Sequence, residues 1–285
     1  MTERPIAMNL IPISDINAPE MDIFARATEN QLRAHYGGIF LAESASVILR
    51  AIENGYEPVS MLVEAGRVEV EAGPVFEAIE RYLGRKVLDS IPVYVIEHEV
   101  AVNMTGHALV RGLWMALRRK PVLSVEEFCT GKRRIAVLVD VTSPLNVGAI
   151  FRSAAALGMD GVLLTHASVD PMTRRAARVS MGTVFQIPWA QTSLEDSDGI
   201  TVINTLHSYG YKTVAMALTD DSVSVDNDEI RANEKVAVML GTEGTGLPKN
   251  VIAASDYRVK IPMYHGVDSL NVAAASAISF WELMK

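Results

Sequence analysis

Four polar residues in the C-terminal half of the chain could serve a ligand. They occur in three segments, which are residues 140–152 (DVTSPLNVGAIFR), 241–248 (GTEGTGLP) and 261–273 (IPMYHGVDSLNVA). The four residues are Asn146, Arg152, Glu243 and Asn271. Two amides, a carboxylate and a guanidinium together offer hydrogen-bond donors, acceptors and both signs of charge. Each segment follows an apolar run, so the pattern predicts a site at the carboxyl ends of buried strands.

Most of these residues also have a purely structural interpretation. Asn146 can cap a helix that opens near it, and an arginine such as Arg152 on a helix surface is usually solvated. Ser269 can cap the final helix, but this interpretation does not explain Asn271. The individual residues therefore leave a structural and a functional role open.

The glycines of the second segment allow the backbone to approach a ligand while Glu243 lies at a sharp turn. Their spacing, Gly241, Gly244 and Gly246, does not match the G-x-G-x-x-G pattern of dinucleotide sites. Leu247 occupies the place where a phosphate-binding loop requires lysine. An ordinary ATP or dinucleotide pocket is therefore disfavoured.

Alternating strands and helices must position these segments. The hydrophobic pattern predicts an α/β fold, with a small helix-covered sheet first and a parallel sheet after it. In the N-terminal part it predicts strands at 38–42, 58–64 and 92–96, and helices at 22–35, 44–54 and 74–83. In the C-terminal part it predicts strands at 135–141, 161–165, 183–188, 212–218, 235–240 and 257–261, and helices at 146–157, at 173–180 and from Ser269.

Residues 115–134 interrupt this alternation with a proline and two basic clusters, at 118–120 and 132–134. The composition is typical of a solvated linker and indicates a domain boundary. We therefore predict an α/β domain over residues 1–120, a linker over 121–131 and a second domain over 132–285. The length of 285 residues suits two such domains.

Composition narrows the class of protein. The net charge is −8, of which −6 falls on residues 1–130 and −2 on residues 131–285, so the chain is not a nonspecific nucleic-acid coat, although a local basic face is compatible with it. The single cysteine, Cys129, forms no internal disulfide. Neither a signal peptide nor a membrane anchor is apparent, so we expect a cytoplasmic protein. The six histidines lack ligand spacing, so we expect solvated loop histidines, such as His207 and His265, and no metal site.

Taken together, the three segments resemble the SpoU-type (TrmH-like) RNA 2′-O-ribose methyltransferases of the SPOUT superfamily. Asn146-x-Gly148-x-x-x-Arg152 is similar to the first family motif, and Gly241-x-Glu243-x-x-Gly246-Leu247 to the second. The third motif matches at Ile261-Pro262-Met263 and at Ser269-Leu270-Asn271-Val272. The resemblance covers residues 132–285, and residues 38–43 and 106–120 are less specifically similar to the substrate-binding domain that often precedes this one.

The resemblance implies a trefoil-knotted, parallel-sheet SPOUT domain, a homodimer, and S-adenosylmethionine as the cofactor. The pattern of strands and helices alone would predict an ordinary unknotted sheet, because chain connections rarely thread. The family's cofactor contacts correspond to strand-end residues whose other interpretation is core packing. These residues are Leu218 or Thr219, Gly241, Ile261, Met263 and Leu270.

The resemblance also implies roles for the four polar residues. The family places the reacting centre at the arginine matching Arg152, often described as a base supplied by the partner subunit. A guanidinium is never deprotonated in proteins, so we expect Arg152 to hold the neighbouring phosphate and stabilise the developing alkoxide. Asn146, Glu243 and Asn271 would orient Arg152, the motif loops and the ribose. Many relatives carry serine where this chain has Ala273, so a hydroxyl contact is absent there.

RNA binding requires cations, and residues 173–178 (TRRAAR) supply them. Arg174 and Arg178 lie four residues apart on one helix face, with Arg175 beside them. A solvated face is the default interpretation, but the family uses a basic helix here. We therefore expect all three arginines to contact structured rRNA or tRNA, and the two linker clusters could extend the track.

Two alternatives to a methyltransferase remain. A noncatalytic RNA-binding protein on the same scaffold is compatible with Ala273 and with the acidic N-terminal part. A nucleotide- or NAD-dependent enzyme of ordinary Rossmann type is disfavoured by the absent glycine fingerprint. Cofactor choice separates the Rossmann enzyme from the other two, and methyl incorporation separates the methyltransferase from the binding protein.

Overall fold

The computed structural model describes residues 9–105 and 112–285, and the contacts divide the chain into two compact units. Unit 1 comprises Met1–Lys120 and Met172–Phe185, and unit 2 comprises Pro121–Pro171 and Gln186–Lys285. The predicted second domain, residues 132–285, includes residues 172–185. In the structure these residues pack with unit 1. Residues 106–111, which contribute to the weaker N-terminal resemblance, lie outside the described residues.

Unit 1 contains a five-stranded mixed sheet with the order β1-β4-β3-β5-β2. Its strands are β1 (Leu10–Ile13), β2 (Ile39–Glu43), β3 (Pro58–Glu64), β4 (Val93–Ile96) and β5 (Leu113–Arg118). Strands β1 and β3 run parallel to β4, and β5 is antiparallel to both of its neighbours. The sequence pattern does not predict β1 or β5. The apolar run of β5 leads directly into the basic, proline-containing segment that suggested a linker.

Helices cover this sheet. They are α1 (Asp22–Ala25), α2 (Glu29–Ala34), α3 (Ala45–Glu53), α4 (Gly73–Leu83), α5 (Arg85–Ser90), α6 (His98–Thr105) and, from the returning segment, α9 (Arg174–Val179). The single helix predicted over residues 22–35 is wrong, because Thr28 starts a new helix. Its side chain accepts a hydrogen bond from the Gln31 N–H while the Gln31 side chain reaches back to the Thr28 N–H. This capping box breaks the helical run into α1 and α2.

Unit 2 contains a seven-stranded sheet with the order β10-β12-β9-β11-β6-β7-β8, in which every pair is parallel. This confirms the predicted parallel α/β sheet. Its strands are β6 (Arg134–Leu138), β7 (Gly161–Leu164), β8 (Trp189–Gln191), β9 (Lys212–Met216), β10 (Val223–Ser224), β11 (Val236–Leu240) and β12 (Tyr257–Lys260). All five residues of β11 are buried, as its apolar run predicts for an interior strand. Because the strands are parallel, their carboxyl ends meet at one edge.

The helices of unit 2 are α7 (Val125–Cys129), α8 (Pro144–Ala156), α10 (Gly199–Ser208), α11 (Asp228–Arg231), α12 (Lys249–Ala254) and α13 (Val272–Leu283). Helix α7 lies within the segment interpreted as a linker, and its Phe128 and Cys129 are buried in the core. Helix α10 is not among the predicted helices; Asp198 caps it by accepting from two backbone N–H groups. Within the described ranges, no helix combines the length and apolarity that a bilayer crossing requires.

The strand predicted at 183–188 is wrong. Residues Thr183–Phe185 form a turn of 3-10 helix that belongs to unit 1, and the strand β8 begins later, at Trp189. Phe185 packs its ring against Phe40 and Tyr56, with centroid distances of 5.2 and 5.1 Å. The apolar run in the sequence therefore reflects packing of aromatic rings in unit 1 and not a strand.

Candidate functional site

The three polar segments meet at the carboxyl edge of the unit 2 sheet, where Asn146, Glu243 and Asn271 form a closed hydrogen-bond network. The Asn271 amide Nδ2 donates to Glu243 Oε1 at 3.0 Å and to Asn146 Oδ1 at 3.2 Å. The Asn146 Nδ2 donates to the same Glu243 oxygen. One carboxylate oxygen thus accepts from two amides, one from each of the other segments.

Helix α13 determines how the Asn271 amide is oriented. Asn271 is the N-cap of α13, and its Oδ1 accepts the Ala273 N–H at 2.9 Å. Because the cap requires an oxygen, the amide nitrogen is left to face Glu243 and Asn146. The predicted cap at Ser269 is wrong. The cap uses the backbone N–H of Ala273, so the alanine in place of serine does not affect it.

Helix α8 presents Asn146 and Arg152 differently. Ser143 is the N-cap of α8, with its side chain accepting from Asn146 N–H, and Pro144 occupies the first turn. The predicted cap at Asn146 is therefore wrong, and its side chain is free for the network. Asn146 is only 5% exposed. Arg152 is exposed and has no ion pair or hydrogen bond to any described residue.

A cavity of about 670 Å³ lies at the same edge, a volume that suits a cofactor-sized ligand. Its walls include five of the six residues that the family resemblance assigns to the cofactor: Leu218, Gly241, Ile261, Met263 and Leu270. Glu243 and Asn271 also line it, so the network forms part of the wall. Thr219 does not line the cavity. Its hydroxyl lies 2.7 Å from both Asp221 Oδ1 and Ser222 Oγ in a local turn.

The glycine-rich segment folds back on itself beside the cavity. Thr242 and Gly246 pair as an isolated antiparallel bridge. A Cβ atom on Gly241 would lie 2.3 Å from the backbone atoms Gly246 C and Leu247 N. Gly241 is therefore required by the crossing of its own loop, whereas the sequence analysis attributed the glycines to the approach of a ligand. Glu243 is exposed at the tip of this loop.

Two charged residues that the sequence analysis did not select also line the cavity. Lys260 is the last residue of β12, and Asp268 precedes the third motif's Ser269. They add a cation and an anion to a lining that already contains the polar side chains of Glu243 and Asn271. Their position in the sequence could have identified them, because both lie in or next to the third strand-end segment, residues 261–273.

The three arginines predicted to contact RNA belong to unit 1. Arg174 Nε lies 3.1 Å from Glu43 Oε1, and Arg178 Nη1 lies 2.9 Å from Glu43 Oε2. The Glu43 side chain is only 5% exposed. Arg175 is exposed and makes no ion pair with a described residue. Two of the three cations are thus held by one buried carboxylate at the end of β2.

The solvated-loop interpretation of His207 is wrong. His207 lies near the end of α10, and its Nε2 is 2.7 Å from Asp256 Oδ2. Lys212 and Thr213 also donate to Asp256, at 2.8 and 2.9 Å. Burial alone would raise the pKa of Asp256, but hydrogen bonds from Lys212, Thr213 and His207 outweigh it and hold the pKa well below its usual range.

Comparisons with known proteins identify the family of this chain. The model of the SpoU rRNA Methylase family matches residues 133–281. An uncharacterized tRNA/rRNA methyltransferase from Mycobacterium tuberculosis (strain ATCC 25618 / H37Rv) is 31% identical over 285 residues, which is 98% of this chain and 93% of the relative. These matches confirm the resemblance drawn from the three motifs.

Two solved structures share the fold over nearly the whole chain. An rRNA methyltransferase from Sinorhizobium meliloti, solved with AdoMet bound, has a TM-score of 0.76 at 22% identity and covers 96% of this chain and 97% of its own. An RNA 2′-O ribose methyltransferase has a TM-score of 0.74 at 25% identity, covering 96% and 98%. The likeness includes the N-terminal part, which the family model does not match.

Proposed function

Because this chain belongs to the SpoU family of RNA methyltransferases, we propose that it transfers a methyl group from S-adenosylmethionine to a ribose 2′-hydroxyl of structured rRNA or tRNA. The observation that carries the proposal is the closed network of Asn146, Glu243 and Asn271 in the wall of a cofactor-sized cavity. The similarity to an RNA 2′-O ribose methyltransferase supports the ribose hydroxyl as the acceptor.

The residues of the cavity fit S-adenosylmethionine. An adenine requires a dry slot with a few backbone hydrogen-bonding groups, and Leu218, Ile261, Met263 and Leu270 supply apolar walls beside the backbone of Gly241. The family resemblance leaves one cofactor contact open between Leu218 and Thr219. Because Leu218 lines the cavity and Thr219 does not, we assign this contact to Leu218.

Two of the three charged residues that line the cavity suit the methionine part of the cofactor. The methionine moiety carries a carboxylate and an ammonium group, and Lys260 and Asp268 offer one charge of each opposite sign. The lining therefore offers charged partners for the zwitterion as well as apolar walls for the flat base.

S-adenosylmethionine, when bound, supplies a methyl group that its sulfonium already activates. The protein must then align the ribose hydroxyl and manage its proton. Glu243 Oε1 is occupied by two amides, and its Oε2 has no partner among the described residues, so Oε2 can accept the hydrogen bond of the ribose hydroxyl. Arg152 stays protonated, holds the neighbouring phosphate and stabilises the developing alkoxide, while the hydroxyl proton passes to Glu243 Oε2.

Arg152 acts across a homodimer interface in this proposal. Within its own chain it neither lines the cavity nor contacts the network. Helices α8 and α13 pack together, and each exposes a large apolar residue, Leu145 at 49% and Trp281 at 57%. Aromatic residues such as Trp281 are enriched in interfaces between subunits. A second copy that covers this surface would supply the missing cation, with RNA as the other partner.

The threaded topology also belongs to this proposal. The all-parallel sheet of unit 2 and the packing of Gly241 against Gly246 and Leu247 are compatible with a trefoil knot, which the family resemblance implies.

In this proposal the acidic N-terminal part serves as the domain that selects the RNA.

The test is methyl incorporation. Radiolabelled S-adenosylmethionine is incubated with unmodified rRNA and tRNA, and calorimetry measures cofactor binding for each variant. We expect label in one RNA pool, lost in Arg152→Ala although cofactor affinity is unchanged. The absence of label in every pool, with cofactor bound, would favour a noncatalytic RNA-binding protein.

Mixed dimers test the assignment of Arg152 to the partner subunit. Arg152→Ala is mixed with Gly241→Val, whose side chain would displace the loop that lines the cavity, and the subunits are exchanged. An equal mixture yields heterodimers in half of the molecules, each with one intact site, so activity should recover to about one quarter of wild type. If the mixture stays inactive while exchange is verified, Arg152 acts within its own chain.

A further inference from the structure

A second cavity, of about 540 Å³, lies within unit 1 and has a different chemical character. Apolar side chains such as Phe24, Leu32 and Leu41 form one part of its lining, and the three arginines of α9 form another. An apolar slot beside a cluster of cations suits a ligand with a flat apolar part and a phosphate. None of its lining residues belongs to the cofactor cavity.

Arg174 is held in this cavity as a fixed plane. Its guanidinium carbon lies 4.6 Å above the ring centroid of Trp114, which is 2% exposed. Its edge is bound by Glu43, and its backbone N–H donates to Glu29 Oε1 at 2.8 Å. The side chain nevertheless remains 39% exposed. Trp114 and Glu43 thus hold the guanidinium in place, and its exposed part can meet a ligand.

We propose that this cavity binds an unpaired nucleotide of the RNA substrate, with its base stacked on the guanidinium plane of Arg174. The proposal rests on the RNA methyltransferase function proposed above and names a feature of the substrate. Guanidinium planes stack well on nucleobases, and unpaired nucleotides are what proteins commonly read in RNA. A base inside a duplex cannot enter such a slot, because it is already stacked and paired.

The charges around the slot agree with one nucleotide. Glu43 balances one of the two arginines that it binds and Glu29 offsets the other, so the net positive charge of one in the lining corresponds to its third arginine. Arg175 adds an exposed cation that pairs with no described residue, and it is the natural contact for the phosphate. Arg178 also binds Glu43 and is 40% exposed. Of these two arginines, only Arg174 lies over an aromatic ring, that of Trp114.

This asymmetry provides matched variants. Arg174→Lys and Arg178→Lys both keep a cation beside Glu43, but only Arg174→Lys removes a stacking plane. The probe is a short unstructured RNA labelled with fluorescein, and the comparison is the same strand annealed to its complement. Fluorescence anisotropy of the full-length protein measures both affinities, and thermal melting checks each variant's fold.

We expect Arg174→Lys to weaken single-strand binding about tenfold and to reduce the preference for single strand over duplex. Arg178→Lys should change single-strand affinity less than about threefold. Arg175→Gln should lower the salt dependence by roughly one phosphate contact, and Arg81→Gln, an exposed arginine on α4, should not. Equal, near-wild-type affinities for the two lysine variants would overturn the proposal, because charge alone would then explain binding.

Two further readouts keep the outcomes separate. If Arg174→Lys fails to fold, photocrosslinking of 4-thiouridine RNA to the wild-type protein decides. Crosslinks to the peptides containing Trp114 or Arg174 support the proposal, and crosslinks confined to other peptides overturn it. Methyl transfer is measured on the same preparations. If methylation persists while the two lysine variants bind RNA equally well, only the nucleotide slot is refuted. If the wild type neither binds nor methylates RNA, the proposed function itself is refuted.

Discussion

Replacing Asn271 separates its two tasks, which are capping α13 and donating to the network. Serine caps a helix about as well as asparagine, so Asn271→Ser keeps the bond to the Ala273 N–H but removes the donors at 3.0 Å from Glu243 and 3.2 Å from Asn146. A hydrogen bond to a charged group contributes about 1.5–3 kcal/mol. Because Asn271 and Glu243 are exposed, the lower end applies, and kcat/KM should fall roughly tenfold.

The two effects can be measured independently. Asn271→Ser should lower the free energy of unfolding by at most about 1.5 kcal/mol, since water replaces the exposed hydrogen bonds. Asn271→Ala also loses the cap and should cost about 1 kcal/mol more, with a similar loss of activity. Asn227 is the matched control, because it caps α11 through the Glu229 N–H and does not line the cavity. Asn227→Ala should lose stability and keep its activity.

Methyl transfer with radiolabelled cofactor and chemical denaturation provide the two readouts. Full activity in Asn271→Ser would refute the reasoning, because the network would then contribute nothing beyond the cap. Activity that falls in Asn271→Ala and returns completely in Asn271→Ser would refute it in the same way.

Three further predictions follow from the packing of unit 2. Hydrogen bonds hold the pKa of Asp256 in the folded protein below its value in the unfolded chain. The ionised carboxylate therefore stabilises the fold fully above about pH 4, and this stabilisation is lost as the pH falls through the folded-state pKa. The difference in free energy of unfolding between wild type and Asp256→Asn, measured by denaturation, should shrink on acidification. Burial raises the pKa of the Cys129 thiol to about 11, so a thiol reagent should label it only after unfolding, and rapid labelling of the native protein would contradict the buried position. Gly241→Ala places a Cβ against its own loop and should weaken cofactor binding at least about tenfold in calorimetry, whereas Gly66→Ala, which meets no atom within 4 Å, should not.

Much of the fold followed from local pattern. The apolar runs of β6, β7, β9, β11 and β12 and the helices between them indicated a parallel sheet, and the motifs were placed at its carboxyl edge. Elements were missed where composition opposed them. Strand β5 runs into a basic, proline-containing segment, and α7 lies inside one, yet both bury apolar residues. Burial in a core outweighed the local signal of a linker.

Helix starts were the least certain feature, because several residues near each start could cap it. At α8, Ser143 prevails over Asn146 because Pro144 suits the first position of a helix. At α13, Asn271 prevails over Ser269, and this choice makes the residue both a cap and a member of the site. The chain alone offered each candidate, and packing selected among them.

By itself the sequence determined which residues could do chemistry and that they follow buried strands, because residue type and hydrophobic period are local properties. Only the tertiary structure decided which of them meet. Asn146 lies 97 residues from Glu243 and 125 from Asn271, and Arg178 lies 135 residues from Glu43. Such distances are closed by strand order and core packing, which no short stretch of chain encodes. The same packing bound the arginines of α9 to a buried carboxylate and left Arg152 without a partner among the described residues.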